Sequence, residues 1–123
     1  VVVPVPGPAT VFCAADPDQF WARYGHHLLA DARGYREFQP GPAPTGGEQP
    51  ADRSSFVHSA ADTVDELRAE GVYVVATPDE LVERVHAGDL GLIATHPMCG
   101  GMPIEAGWES LRLLGEHVMP RIR

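Results

Sequence analysis

Val72-Tyr73-Val74-Val75-Ala76-Thr77-Pro78-Asp79-Glu80-Leu81 is the stretch on which the fold turns. Four of its first five residues are β-branched or aromatic, and the run is short and apolar, which is the signature of a buried strand. Thr77 then suits an N-cap, Pro78 the first helical position and Glu80 the third residue of a capping box. Leu81, Val82 and Val85 continue at helical spacing, and Gly88 closes the helix. A strand that runs straight into a capped helix is one β-α unit. The junction occurs twice: Ala15-Asp16-Pro17-Asp18-Gln19-Phe20 matches Ala76-Thr77-Pro78-Asp79-Glu80-Leu81 position by position.

Working outward, Thr10-Val11-Phe12-Cys13-Ala14-Ala15 reads as the strand before the first junction. The helix after it carries Trp21, Tyr24, Leu28, Ala32 and Tyr35 on one face and runs to about Phe38. Residues 39–55 hold Pro40, Pro42, Pro44 and Pro50 among glycines and read as a long loop, the expected point of weakest order and earliest cleavage. A second helix is capped by Ser59, faces Val64 and Leu67 inward and stops at Gly71. Leu90-Gly91-Leu92-Ile93-Ala94-Thr95 is expected to be a third strand. His96-Pro97-Met98-Cys99-Gly100-Gly101-Met102-Pro103 is a turn. A last helix from Pro103 carries Ile104, Trp108, Leu111, Leu114 and Val118 on its inner side, and Pro120 ends it. The order β-α-loop-α-β-α-β-α predicts one α/β domain over 1–123, with parallel strands in chain order ending at Ala15, Ala76 and about Thr95.

Composition removes several function classes. The chain has 123 residues, with 44% hydrophobic, 21% charged and a formal charge of −8, which is globular and acidic. Binding to nucleic acid or to an anionic membrane surface needs the opposite sign, so neither is expected. All nine bases are arginine, which leaves no lysine for a Schiff base or a phosphate loop. Neither a secretion leader nor a membrane span is visible, and with two cysteines the expected setting is a reduced cytoplasm.

The His96–Gly101 turn is the most informative place for chemistry. It follows a predicted parallel strand and opens a helix, and α/β folds bind ligands at that end. Gly100 and Gly101 let backbone approach a ligand, although glycine also simply punctuates turns. Cys99 reads as a packed small residue more than as a nucleophile. His96 and Cys99 offer two ligands where a zinc site wants three or four, and His26, His27, His58 and Cys13 add no recognised spacing, so no metal is expected. Ser54, Ser55, His58 and Asp62 have the residue types of a triad without a nucleophile elbow.

The motifs from Val72 to Leu81, the turn His96-Pro97-Met98-Cys99-Gly100-Gly101-Met102-Pro103, Trp108-Glu109-Ser110-Leu111 and Val118-Met119-Pro120 together resemble the end of the luciferase-like flavin-dependent monooxygenases. Asp16-Pro17 through Leu28-Leu29, with Asp31-Ala32-Arg33-Gly34-Tyr35, resembles the unit before it, so the likeness spans about 9–38 and 57–123. It implies a (β/α)8 TIM-type barrel of which this chain is the last three β-α units, a partial barrel. It implies reduced FMN or a deazaflavin as cofactor in the complete barrel, with none held tightly by this chain alone. The family's catalytic residues belong to earlier strands, so no catalytic residue carries over. What carries over is a cofactor- or substrate-binding rim of Ala76, Thr77, His96, Met98, Cys99, Gly100 and Gly101. A barrel slice leaves its inner face bare at Phe12 or Cys13, Val74 or Val75, and Leu92 or Ile93, so the expected partner is a second copy or the missing N-terminal barrel portion. The competing expectations are a self-standing binding module derived from that barrel, and an unrelated small-molecule enzyme using His96 and Cys99.

Overall fold

In the computed structural model, described for residue 8 and residues 10–38, 59–91 and 93–122, the two strand-to-helix junctions form as their residue types dictate. Strand β1 (Thr10–Cys13) leads into helix α1 (Pro17–Phe38), and Asp16 caps it by accepting the Gln19 N–H at 3.1 Å. Strand β2 (Tyr73–Ala76) leads into helix α3 (Pro78–His86). There Thr77 accepts from the Glu80 N–H while the Glu80 carboxylate accepts from the Thr77 N–H, a complete capping box. Helix α2 (Val64–Glu70) ends on Gly71, whose φ of 76° supplies the left-handed cap. Its N-cap is Thr63, not Ser59, which instead hydrogen-bonds Glu70. The expected loop over 39–55, and Ser54, Ser55 and His58, lie outside the described residues.

β1 and β2 pair in parallel, with Thr10 opposite Tyr73 and Cys13 opposite Ala76. The expected third strand over 90–95 does not form: residues 93–96 carry no regular structure, and the described sheet has two strands. The segment still touches the sheet, because the Val11 N–H donates to the Ala94 carbonyl at 2.8 Å. Thr10 and Ala14 donate toward β2, and strand N–H groups alternate sides, so Val11 and Cys13 point to the opposite edge. The third segment therefore neighbours β1, whereas chain order would place it beside β2. On that same edge the buried Cys13 N–H donates to Ser110 Oγ at 2.9 Å.

Both faces of this small sheet are covered. Phe12, Tyr73 and Val75 pack with Phe20, Trp21 and Leu28 of α1 and with Leu67 of α2. Val11, Cys13, Val74 and Ala76 pack with Leu81 and Val82 of α3 and with Leu113, Leu114 and Val118 beyond. Side chains alternate across a strand, so two cores on two faces are what consecutive buried residues require. Phe12 and Cys13 are buried, and Val74, Val75 and Ile93 are half-buried within the packing. The bare inner face expected of a barrel slice is thus not present among the described residues; Leu92 lies outside them.

Helix α4 (Ile104–Leu113) continues through a π-helical turn (Leu114–Val118) and a short 3-10 turn (Met119–Arg121). Its inner face differs in part from the expected one: Leu114 and Val118 are buried as expected and Leu111 is half-buried. Ala106, Gly107, Ser110, Leu113, Leu114 and Val118 face in, while Ile104 and Trp108 are exposed. Close approach explains this: a Cβ on Gly107 would lie 2.3 Å from the Pro97 carbonyl oxygen. Only small residues fit there, and the large apolar ones rotate outward.

Candidate functional site

The chemistry-bearing residues gather around Asp31, on the third turn of α1 beyond the aromatic contact with β1. The Tyr73 hydroxyl donates to Asp31 Oδ2 at 2.6 Å. The Cys99 thiol, fully buried, lies near this carboxylate. His96, exposed, brings a ring nitrogen into the same group: ligand atoms of Asp31, His96 and Cys99 all lie within 4.8 Å of one another. The site therefore holds oxygen, nitrogen and sulfur donors, one open side at His96 and a hydroxyl orienting the carboxylate.

A short 3-10 turn (Cys99–Gly101) presents the thiol, and it is seated on α1. Gly100 has φ 61°, and a Cβ there would sit 1.8 Å from the His27 carbonyl oxygen, so no side chain fits. The Gly100 carbonyl also lies 3.1 Å from His27 Nδ1, a second tie between turn and helix. Gly100 is required for packing the turn on α1, whereas Gly101, with φ 76° and open space around it, is free to approach a ligand.

Burial first, then the nearby Asp31 carboxylate, push the Cys99 thiol well above its ordinary range. Tyr73 is raised by burial and by the same carboxylate. Burial and Asp31 both favour the protonated thiol of Cys99 over the thiolate. Cys13, on the other face of the sheet, is pushed up to about 11 by burial. Both cysteines are free.

The expected rim divides into two places. His96, Cys99 and Gly100 belong to the Asp31 group. Met98 is exposed beside it. Ala76 and Thr77 stand at the far end of β2 from Tyr73, about 10 Å away at a strand's rise per residue. Ala76 is buried in the second core, and the Thr77 hydroxyl is engaged in the α3 cap. Asp31 and Tyr73 are the two members that reading the sequence did not supply. The available signal was a carboxylate at position 31, between the core residues Leu28 and Ala32.

A cleft of about 300 Å³ opens at the carboxyl end of β1, between the starts of α1 and α4. Asp16, Glu105 and Glu109 line it against a single cation, Arg23. Arg112 beside Glu109 lowers that carboxyl's pKa, keeping it charged. A flavin phosphate wants cations and free N–H groups, so these residues do not fit it. A wider, open depression of about 560 Å³ along the outer side of α4, past Trp108, gathers no reactive cluster. Compared with protein-family models, curated proteins and solved structures, the chain matches none of them. No described helix is long and apolar enough to cross a membrane.

Proposed function

We propose that this chain is the C-terminal part of a luciferase-like flavin- or deazaflavin-dependent oxidoreductase, giving the rim of its active site and not catalytic alone. What carries the reading is the order of motifs: the Val72–Leu81 junction, the His96–Pro103 turn, Trp108-Glu109-Ser110-Leu111 and Val118-Met119-Pro120 occur in one run. One feature supports it. Met98, Ile104 and Trp108 are exposed and apolar, a surface that the missing barrel portion or a second copy would cover. The flavin itself falls to residues outside this chain, because the acidic cleft does not suit its phosphate.

The test is sedimentation at low micromolar concentration with an FMN titration, on the chain alone and after co-expression with any upstream reading frame encoding the rest of the barrel. The chain alone should self-associate and take up no FMN, and the completed barrel should bind FMN stoichiometrically. A dilute monomer that unfolds cooperatively and gains nothing from the added frame overturns the reading. One observation favours a second reading, a self-standing α/β binding module: both sheet faces are covered, and the second edge of β1 is met by Ala94 and Ser110.

A further inference from the structure

We infer that Asp31, His96 and Cys99 form a binding site for a zinc-class divalent cation. The inference rests on this chain's own side chains and stands whichever reading of the whole protein holds. Three different elements converge here: α1 supplies a carboxylate, the segment after Ala94 an imidazole, and the 3-10 turn a thiol. Their ligand atoms lie within 4.8 Å of one another. Zinc bonds of about 2.0–2.3 Å in a tetrahedron place ligand atoms roughly 3.2–3.7 Å apart. The group is therefore at most about 1.5 Å more open than the bound geometry, and His96, the exposed member, can move to close it.

The donor set is selective. Sulfur with imidazole suits zinc and disfavours magnesium and calcium, which take oxygen ligands. A thiolate and a carboxylate neutralise the dication, so the ion enters this half-buried place without leaving net charge there. Binding removes the thiol proton, and that proton is the cost set by Cys99's burial. Tyr73 is a positioning residue: its hydroxyl, 2.6 Å from Asp31 Oδ2, leaves the other carboxylate oxygen for the ion. The Gly100–His27 contact fixes the turn that carries the thiol. Three protein ligands leave a fourth position, open at the His96 side, for water or the donor atom of a small ligand. The sequence shows only the His96–Cys99 pair, because the third ligand lies more than sixty positions earlier.

Cobalt(II) titration of the full chain tests this, since cobalt replaces zinc and reports its ligands by absorbance. One equivalent should bind, with a near-ultraviolet thiolate-to-cobalt band and tetrahedral visible bands, and zinc should displace it. Cys99→Ser should abolish the thiolate band. His96→Ala changes an exposed side chain, so it keeps the fold and should weaken binding by at least about 10-fold. Tyr73→Phe should weaken it by about 10–100-fold while keeping the band. Circular dichroism of each apo variant checks folding. Absence of a thiolate band in the wild type, or cobalt affinity unchanged in His96→Ala, overturns the site and assigns any uptake to surface histidines such as His26, His86 and His117.

Discussion

Replacing Ser110 with alanine tests how the sheet ends. Cys13 is the last residue of β1, and its N–H points away from β2, where a further strand would otherwise meet it. The buried Ser110 hydroxyl accepts that N–H at 2.9 Å from the inner face of α4. Alanine removes the acceptor and leaves a donor at a site with almost no access to water. An ordinary hydrogen bond contributes about 1 kcal/mol, but an orphaned buried donor costs about 1–3 kcal/mol. The volume lost is one hydroxyl, so the cavity term is small. Ser110→Ala should therefore destabilise by about 2 kcal/mol, or roughly 5–10 °C in Tm for a chain of this length. Urea unfolding followed by circular dichroism measures it, with an unchanged m-value showing that the unfolding unit is the same. Thr at this position keeps the acceptor and should recover part of the loss. A loss below about 0.5 kcal/mol refutes the claim that α4 closes this edge, and means another acceptor reaches the Cys13 N–H.

Gly100→Ala should cost about 3 kcal/mol or more in the same assay, because the new Cβ meets the His27 carbonyl at 1.8 Å and the backbone sits at φ 61°; wild-type stability removes the packing argument. Thr77→Ala should cost about 1 kcal/mol by losing half of the α3 capping box, and Thr77→Ser should restore most of it. Cys13 binds its proton more tightly folded than unfolded, about 11 against 9, so its contribution is intact below pH 9 and falls as pH rises toward 11. Cys13→Ala should accordingly lose less stability between pH 9 and 11 than the wild type does; parallel pH profiles would refute the assignment.

The α/β class and the junctions were legible because they are written in local chemistry. Asp16-Pro17 and Thr77-Pro78-Asp79-Glu80 specify a helix start through atoms at most three residues apart, and Gly71 specifies a helix end through its own φ. The third strand was not legible. Leu90-Gly91-Leu92-Ile93-Ala94-Thr95 is apolar enough for a strand, but it meets β1 through one described main-chain bond, and pairing is decided by the partner. On the inner face of α4, Leu114 and Val118 are buried as their spacing implies, but Ile104 and Trp108 turn outward. Large apolar residues usually face in, but the Pro97 carbonyl comes so near Gly107 that Ala106, Gly107 and Ser110 take the inner side. Of the site, the His96–Gly101 turn was visible and its surroundings were not. Asp31 meets Tyr73 42 positions away, and no spacing rule links residues across such a distance.

The reach of the Cys13–Ser110 bond also has a consequence during synthesis. Its partners are 97 positions apart, and β1 needs β2, α4 and the Ala94 segment before its edges are met. A ribosome adding about 5–20 residues per second takes about 5–20 s to cover that interval. Helix α1, made within that interval, can already cover Phe12, but the Val11–Cys13 edge of β1 has no native partner until the Ala94 segment and Ser110 are made. That edge of β1 is therefore met late in synthesis, which makes Thr10–Cys13 a segment for a holding chaperone to grip.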